Sequence, residues 1–331
     1  MLVTGGTGLL GNVVIRHLLG RGDRIRALVR SDPDPAVFDG LDVESVHAAL
    51  TDPSAVRSAA RDCDAVIHSA GMIHIGWKRL DESLVVNRDG SATIAEACRE
   101  LGIPLVHVGT VNTLAIGHRE VPSDETTPLD CHGGQTPSTY VVSKRAGVNA
   151  VLAAARRGLR CGIVHPGFML GPYDWKPSSG RMMVEIAKTW RPLSPTGGCS
   201  VCDVRDVADG TIAVMDRLLD RTIATNGREY ILAGENWTYL RLWTEMARRV
   251  GRRPPIKTAG MIPRTIGGIY GDLASRWSAD ESDLNTAAIA MSGQFHYHDS
   301  SRATAELGYH NRPIAETLDD AAEWLSRFFA A

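Results

Sequence analysis

Apolar positions along this chain switch repeatedly between two periods. Short β-branched runs at Leu2-Val3-Thr4, Arg24 to Val29, Val43 to Leu50, Asp64 to His68 and Leu105 to Val108 read as strands. Between them, Asn12 to Gly20 and Glu82 to Leu101 carry apolar residues at helical spacing, and Ser138 to Arg157 continues that period. Strand and helix alternating in this way predict an α/β fold with a parallel, doubly wound sheet. From about Ser179 the rhythm changes: helices at Arg181 to Trp190, Val207 to Asp220 and Tyr239 to Val250 are interleaved with strands at Ser200 to Val204 and Glu229 to Leu232. Two portions are therefore expected, 1–178 and 179–331, with parts of 200–232 returning to the first sheet. The stretch Pro254 to Gln294 is the least patterned, and an apolar helix around Met261 to Leu273 with Trp277 is expected to form a lid.

The first strand runs into Gly5-Gly6-Thr7-Gly8-Leu9-Leu10-Gly11 and then directly into a helix. In that context Gly5 permits the tight turn, Gly8 lets the main chain approach a pyrophosphate, and Gly11 lets the helix pack on the strand with its first N–H groups facing the anion. This is a Rossmann-type dinucleotide site. The second strand ends at Arg30, where an NAD-preferring site places an Asp or Glu against the ribose 2′-hydroxyl. A guanidinium there pairs with a 2′-phosphate, so NADP(H) is the expected cofactor and NAD(H) the second option. Small residues Ser69, Ala70 and Gly71 after the fourth strand leave room for the cofactor across the strand ends.

Tyr140 and Lys144 lie one helical turn apart, so a phenol and an ammonium point to one site. A phenol with an ordinary pKa near ~10 is a poor base at neutral pH, and a neighbouring positive charge is expected to favour its ionised form. The chain has 331 residues, 44% hydrophobic and 22% charged, with a formal net charge of −2, enough for a large core. Its charge is no footprint for nucleic acid or an anionic membrane, so the expected partner is a small molecule. No run reaches the ~18 apolar residues of a membrane span, and a Gly-rich motif starting at Gly5 leaves no room for a signal peptide, so a cytoplasmic protein is expected. The six cysteines are scattered and read as reduced thiols; neither Cys199-Ser200-Val201-Cys202 nor the histidine pairs His68/His74 and His296/His298 has the spacing of a metal site. His68 itself reads as structural.

Together Gly5-x-x-Gly8-x-x-Gly11, Asp64 to Gly71, Val86-Asn87-x-x-Gly90, Thr110 and Tyr140-x-x-x-Lys144 resemble the extended short-chain dehydrogenase/reductase family, of the NAD(P)-dependent epimerase/dehydratase type. His165 to Pro172, Asp174 to Ser178, Val204 to Ala208 and Ala303 to Tyr309 resemble its dihydroflavonol-4-reductase-like branch. The resemblance implies Thr110 holding the substrate oxygen, Tyr140 as general acid/base and Lys144 on the ribose hydroxyls. Asn112 competes with Thr110 as the hydroxyl's partner, and Asn87 orients a water or carbonyl or serves a structural turn. Cofactor contacts are implied at Gly5, Thr7, Gly8, Leu9, Leu10, Gly11, Arg30, Ala49, Leu50, Ser69, Ala70, Gly71, Tyr140, Lys144, Pro166 and Gly167. Two positions depart from the pattern. Ala49 stands where an Asp usually contacts adenine, leaving that contact to main chain or Asp52, and Gly109-Thr110 replaces a commoner Ser-Ser pair. Substrate-wall candidates are Met72, Phe168, Tyr173, Met182, Met183 and Tyr270.

The family pairs its subunits through the Tyr/Lys helix and the helix preceding the active-site strand. A homodimer through 82–101 and 138–157 is expected, with Ala146, Ala150 and Ala154 as a smooth stripe. The expected activity is NADPH-dependent reduction of a ketone or aldehyde on a small, largely apolar molecule. A nucleotide-sugar epimerase or dehydratase with recycled cofactor is the alternative, with Arg181, Lys188, Arg191 and Arg205 as diphosphate clamps; a non-catalytic NADP-sensing protein is the third.

Overall fold

The computed structural model describes residues 1–222, 226–260, 272 and 285–329. Tyr270, Trp277 and, apart from Asp272, the lid helix expected over 261–273 lie outside the described residues. The first half runs β1 (Leu2–Thr4), α1 (Leu9–Gly20), β2 (Ile25–Val29), β3 (Val43–His47), α2 (Pro53–Ala60), β4 (Val66–His68), α3 (Leu80–Leu84), α4 (Gly90–Leu101), β5 (Leu105–Val108), α5 (Thr139–Ala155) and β6 (Cys161–Pro166). It continues through β7 (Phe168–Leu170), α6 (Arg181–Lys188), β8 (Leu193–Ser194), β9 (Gly198–Asp203), α7 (Val204–Leu219), β10 (Arg228–Leu232), β11 (Glu235–Thr238), α8 (Tyr239–Arg249) and β12 (Lys257–Thr258). Helix Thr286–Ser292, strand β13 (Phe295–His296) and helices Ser301–Leu307 and Ile314–Leu325 follow.

Among the described residues one sheet has seven strands in the order β10-β6-β5-β4-β1-β2-β3, every pairing parallel. The order reverses direction between β1 and β4, which opens a crevice at the carboxyl ends where a dinucleotide can lie. Strand side chains alternate between two cores. Val3, Ile67, Val106 and Val164 face α1 and α7, whereas Leu2, Val66, Leu105 and Ile163 face α2, α4 and α5. β10, from the second half of the chain, completes the sheet beside β6.

A smaller sheet is built on β9, which pairs antiparallel with β11 and parallel with β13 and β7; β8 and β12 form a separate pair. Its own core gathers Leu170, Met183, Val184, Trp237, Leu242 and Leu318. Several boundaries differ from the sequence expectation. The strand expected to Leu50 ends at His47, where its pairing with β2 ends, and the helix expected over Glu82–Leu101 is interrupted by a π-turn at Val85–Asp89. The turn swings the Asn87 carbonyl against Gly147 of α5, where an added Cβ would collide with it.

Candidate active site

The N-terminal turn is packed as a phosphate cradle requires. Gly5 has φ +73, and a Cβ there would stand 2.6 Å from Ala70 N; one on Gly11 would collide with Gly5 O. Gly8 caps α1 and is exposed, and no side chain caps that helix, so its first N–H groups are left for an anion. Leu9 and Leu10 turn their side chains into the core and offer only main chain. Thr7 is half-buried at the same turn. The exit of β4 is laced to it: Thr4 Oγ1 accepts from Ala70 N at 3.2 Å, and Ser69 N donates to Thr4 O at 3.2 Å. These residues fit a dinucleotide, with main chain holding the phosphates.

Arg30 is exposed just past β2, with no hydrogen bond or ion pair among the described residues, although its charge acts on Glu82. Ala49 is exposed, and Leu50 packs on Gly90. One oxygen of Asp52 is committed to capping α2, accepting from Ser54 N and Ala55 N, each at 3.0 Å. Gly167 N donates to Leu232 O at 3.0 Å, and a Cβ on Gly167 would stand 2.6 Å from Ser200 O, which fixes the Pro166-Gly167 exit of β6.

The structure brings Thr110, Tyr140 and Lys144 together. Ser138 caps α5, accepting from Val141 N at 3.3 Å, so that Tyr140 and Lys144 occupy its first turns. The Thr110 hydroxyl stands beside the Tyr140 phenol as the hydrogen-bonding group that acts on it, and Asn112 N donates into Thr110 Oγ1 at 3.3 Å. Asn112 thus acts through its main chain. Burial pushes the Tyr140 phenol above its ordinary value, and the Thr110 hydrogen bond opposes this without overcoming it. At neutral pH Tyr140 is therefore a protonated acid.

Lys144 is 8% exposed; burial pulls its ammonium down to about 8, and Nζ donates to Val108 O at 2.8 Å. From sequence, Lys144 is expected to favour the ionised phenol; in this structure the Thr110 hydrogen bond is the influence that opposes burial, and the ammonium is turned to the end of β5. Gly71 lies beside it, an added Cβ there reaching Lys144 Nζ at 3.5 Å.

Asn87 is a latch that spacing alone left open. Its amide donates to Met72 O and to Ser143 Oγ, each at 2.9 Å, and its oxygen accepts from Met72 N at 2.7 Å. Met72 is half-buried and held at the site by its backbone. The other described wall candidates have different company. Met183 is fully buried, Phe168 and Met182 pack on the same small core, and the Tyr173 ring lies between Arg16 at 4.0 Å and Trp324 at 4.9 Å. None of these contacts is with Thr110, Tyr140 or Lys144.

A layer of histidines lies beneath the site. His68 bonds Thr4 Oγ1 at 2.6 Å and Ser91 Oγ at 3.1 Å, and burial lowers it to about 3. His107 is its neighbour on β5 and His165 lies on β6; sequence reasoning assigned neither a role, and the signal that marks His165 is its place ahead of Pro166 at a strand end. Cys199 and Cys202 are buried free thiols, Cys199 pushed up to about 12 by burial, so neither is a nucleophile at neutral pH.

A doubly wound sheet with a glycine cradle at its switch point and a Thr/Tyr/Lys cluster by the end of β5 defines an NAD(P)-dependent oxidoreductase. Residues 1–224 match the NAD dependent epimerase/dehydratase family, and the chain belongs to that family. It is 29% identical over 329 residues to a putative dihydroflavonol 4-reductase of Synechocystis sp., covering 97% of this chain and 93% of that protein. It is 27% identical over 327 residues to sterol demethylase protein B of Methylococcus capsulatus, covering 98% of this chain and 97% of that one. The crystal structure of gox2253 superposes with a TM-score of 0.83 at 28% identity, covering 98% of this chain and 97% of that one.

Proposed function

We propose that this protein is an NADPH-dependent reductase of a ketone or aldehyde on a small, largely apolar substrate. The observation that carries the reading is the placing of Tyr140 and Lys144 in the first turns of α5, with Thr110 beside the phenol and Nζ of Lys144 at the end of β5. NADPH, when bound, supplies the hydride. Tyr140 gives its proton to the carbonyl oxygen, and Thr110 steadies the charge that develops there. Lys144 keeps N–H groups beyond its bond to Val108 O for the ribose hydroxyls. Gly5, Gly8 and Gly11 cradle the pyrophosphate, and the exposed Arg30 takes the 2′-phosphate.

Two observations favour an apolar ketone over a nucleotide sugar. Ile73, Ile75 and Trp77 are exposed on the loop after β4, which is fastened beside Tyr140 by Thr139 N donating to Gly76 O at 2.9 Å. Of the candidate diphosphate clamps, Arg191 is paired with Glu185 at 2.8 Å and Arg205 with Asp203 at 2.8 Å and Asp320 at 2.5 Å. Subunits pair through α4 and α5. Of the alanine stripe on α5, Ala154 is buried in the subunit's own core, and Ala146 and Ala150 are half-buried.

Incubating the protein with NADPH and a panel of alkyl and aryl ketones and aldehydes tests the reading. Net, substrate-dependent loss of NADPH absorbance is expected. Turnover of a nucleotide sugar with no net cofactor oxidation would instead establish the epimerase/dehydratase alternative.

A further inference from the structure

His165 is completely buried, yet each of its ring nitrogens faces an acceptor. Nδ1 lies 3.2 Å from Thr110 O and 3.2 Å from Thr113 Oγ1, while Nε2 lies 2.7 Å from Glu229 Oε2. The Thr113 hydroxyl proton is spent on Thr110 O at 2.7 Å, so Thr113 Oγ1 can accept from Nδ1–H. A carbonyl can only accept, so the contact with Thr110 O uses the proton on Nδ1.

These contacts tie three neighbouring strands together: Glu229 near the start of β10, His165 near the end of β6 and Thr110 just past β5. The fit is tight on the β5 side. A Cβ on Gly109 would stand 2.7 Å from His165 Nδ1, which explains glycine where a serine is commoner. Position 109 has given up its side chain to admit the ring.

We infer that His165, oriented by Glu229, is a positioning residue that holds the Thr110 main chain so that the Thr110 hydroxyl meets the Tyr140 phenol. This rests on the reading of Thr110 and Tyr140 as the groups that meet the substrate carbonyl. His165 touches neither phenol nor substrate; it acts through the Thr110 carbonyl. Small errors in placing such a group are expensive, since a displacement of ~1 Å at a reacting centre can cost roughly a hundredfold in rate.

Two substitutions separate positioning from packing. In His165→Asn the amide nitrogen replaces Nδ1 and can still donate to Thr110 O, but the bond to Glu229 is lost. In His165→Gln the amide replaces Nε2, keeps Glu229 and loses Thr110. A residue that merely fastened β10 to β6 would favour His165→Gln in both thermal stability and rate. The expectation here is the reverse for rate: His165→Asn retains most of the parent kcat, and His165→Gln loses about tenfold to a hundredfold in kcat with an unchanged NADPH dissociation constant. Equal kcat in the two variants overturns the inference.

A readout independent of turnover is the titration of Tyr140 by NMR on protein carrying ¹³C-labelled tyrosine, assigned with Tyr140→Phe. Loss of the Thr110 hydrogen bond should raise the phenol's titration in His165→Gln and leave it in place in His165→Asn. If the parent protein reduces no carbonyl, the functional reading fails by itself while this titration still decides the inference. An unmoved Tyr140 in His165→Gln overturns it.

Discussion

In residues 1–178 the groups aimed at the crevice are main-chain N–H and C=O or polar and charged side chains, and most of them are held in place by neighbouring elements. Thr4 bonds Ala70, Asn87 bonds Met72, and Lys144 bonds Val108 O. Beyond residue 179, by contrast, candidates chosen for their size and apolar character have been taken up by packing: Met183 and Met182 serve the core built around β9 and α8. The difference is one of chemistry. A phosphate cradle demands particular backbone conformations and so writes glycines into the chain at fixed spacing, whereas an apolar wall and an apolar core use the same residues.

Replacing one methionine on each side breaks or sharpens that contrast. Met183→Ala should destabilise the protein by about 2–5 kcal/mol, because it empties a fully buried site, and leave KM for a substrate unchanged. Met72→Ala, at a half-buried side chain whose backbone is pinned by Asn87, should leave the melting temperature near that of the parent and move KM. A Met183→Ala variant with parent stability and altered KM would place Met183 in the wall after all. Thermal melts beside substrate titrations of both variants decide it.

Arg30→Asp comes next in size. It should cost NADPH roughly 1.5–3 kcal/mol, about one to two decades in affinity, and spare NADH. Isothermal titration with the two cofactors measures this. Identical NADPH and NADH affinities in the parent would remove Arg30 from the site.

The smallest effect concerns the buried ammonium. Lys144 is held at about 8 when folded against an ordinary 10.5, so between those pH values the unfolded chain binds more protons and stability rises with pH. The burial penalty is fully felt below pH 8. Lys144→Met should therefore stabilise the protein at neutral pH by on the order of 1–2 kcal/mol, less as pH climbs, while weakening cofactor binding through the lost ribose contact. Melting curves across pH check the sign; a variant less stable than the parent at pH 7 would mean that the bond to Val108 O outweighs the burial.

Much of the nucleotide side was legible from the chain alone. The strand–turn–helix at Gly5 to Gly11 and the one-turn spacing of Tyr140 and Lys144 are local patterns, and local patterns survive folding. The His165–Glu229 contact was not legible, because it joins residues 64 apart through the docking of β10 against β6, which no spacing encodes. Nor was the direction of the Tyr140 shift. That depends on how completely the phenol is buried and on where Nζ of Lys144 turns, both products of tertiary packing. Asn87 lay between these cases: its position was visible, but its latch on Met72 and Ser143 required the π-turn at Val85–Asp89.

The central claim is that Tyr140 delivers the proton as hydride reaches the carbonyl. Tyr140→Phe removes one oxygen and leaves the ring, so single-turnover reduction of a carbonyl identified with the parent, by protein preloaded with NADPH, isolates that step. The predicted result is unchanged NADPH affinity with a rate lower by roughly 10²–10⁴. Reduction by Tyr140→Phe at the parent rate would contradict it.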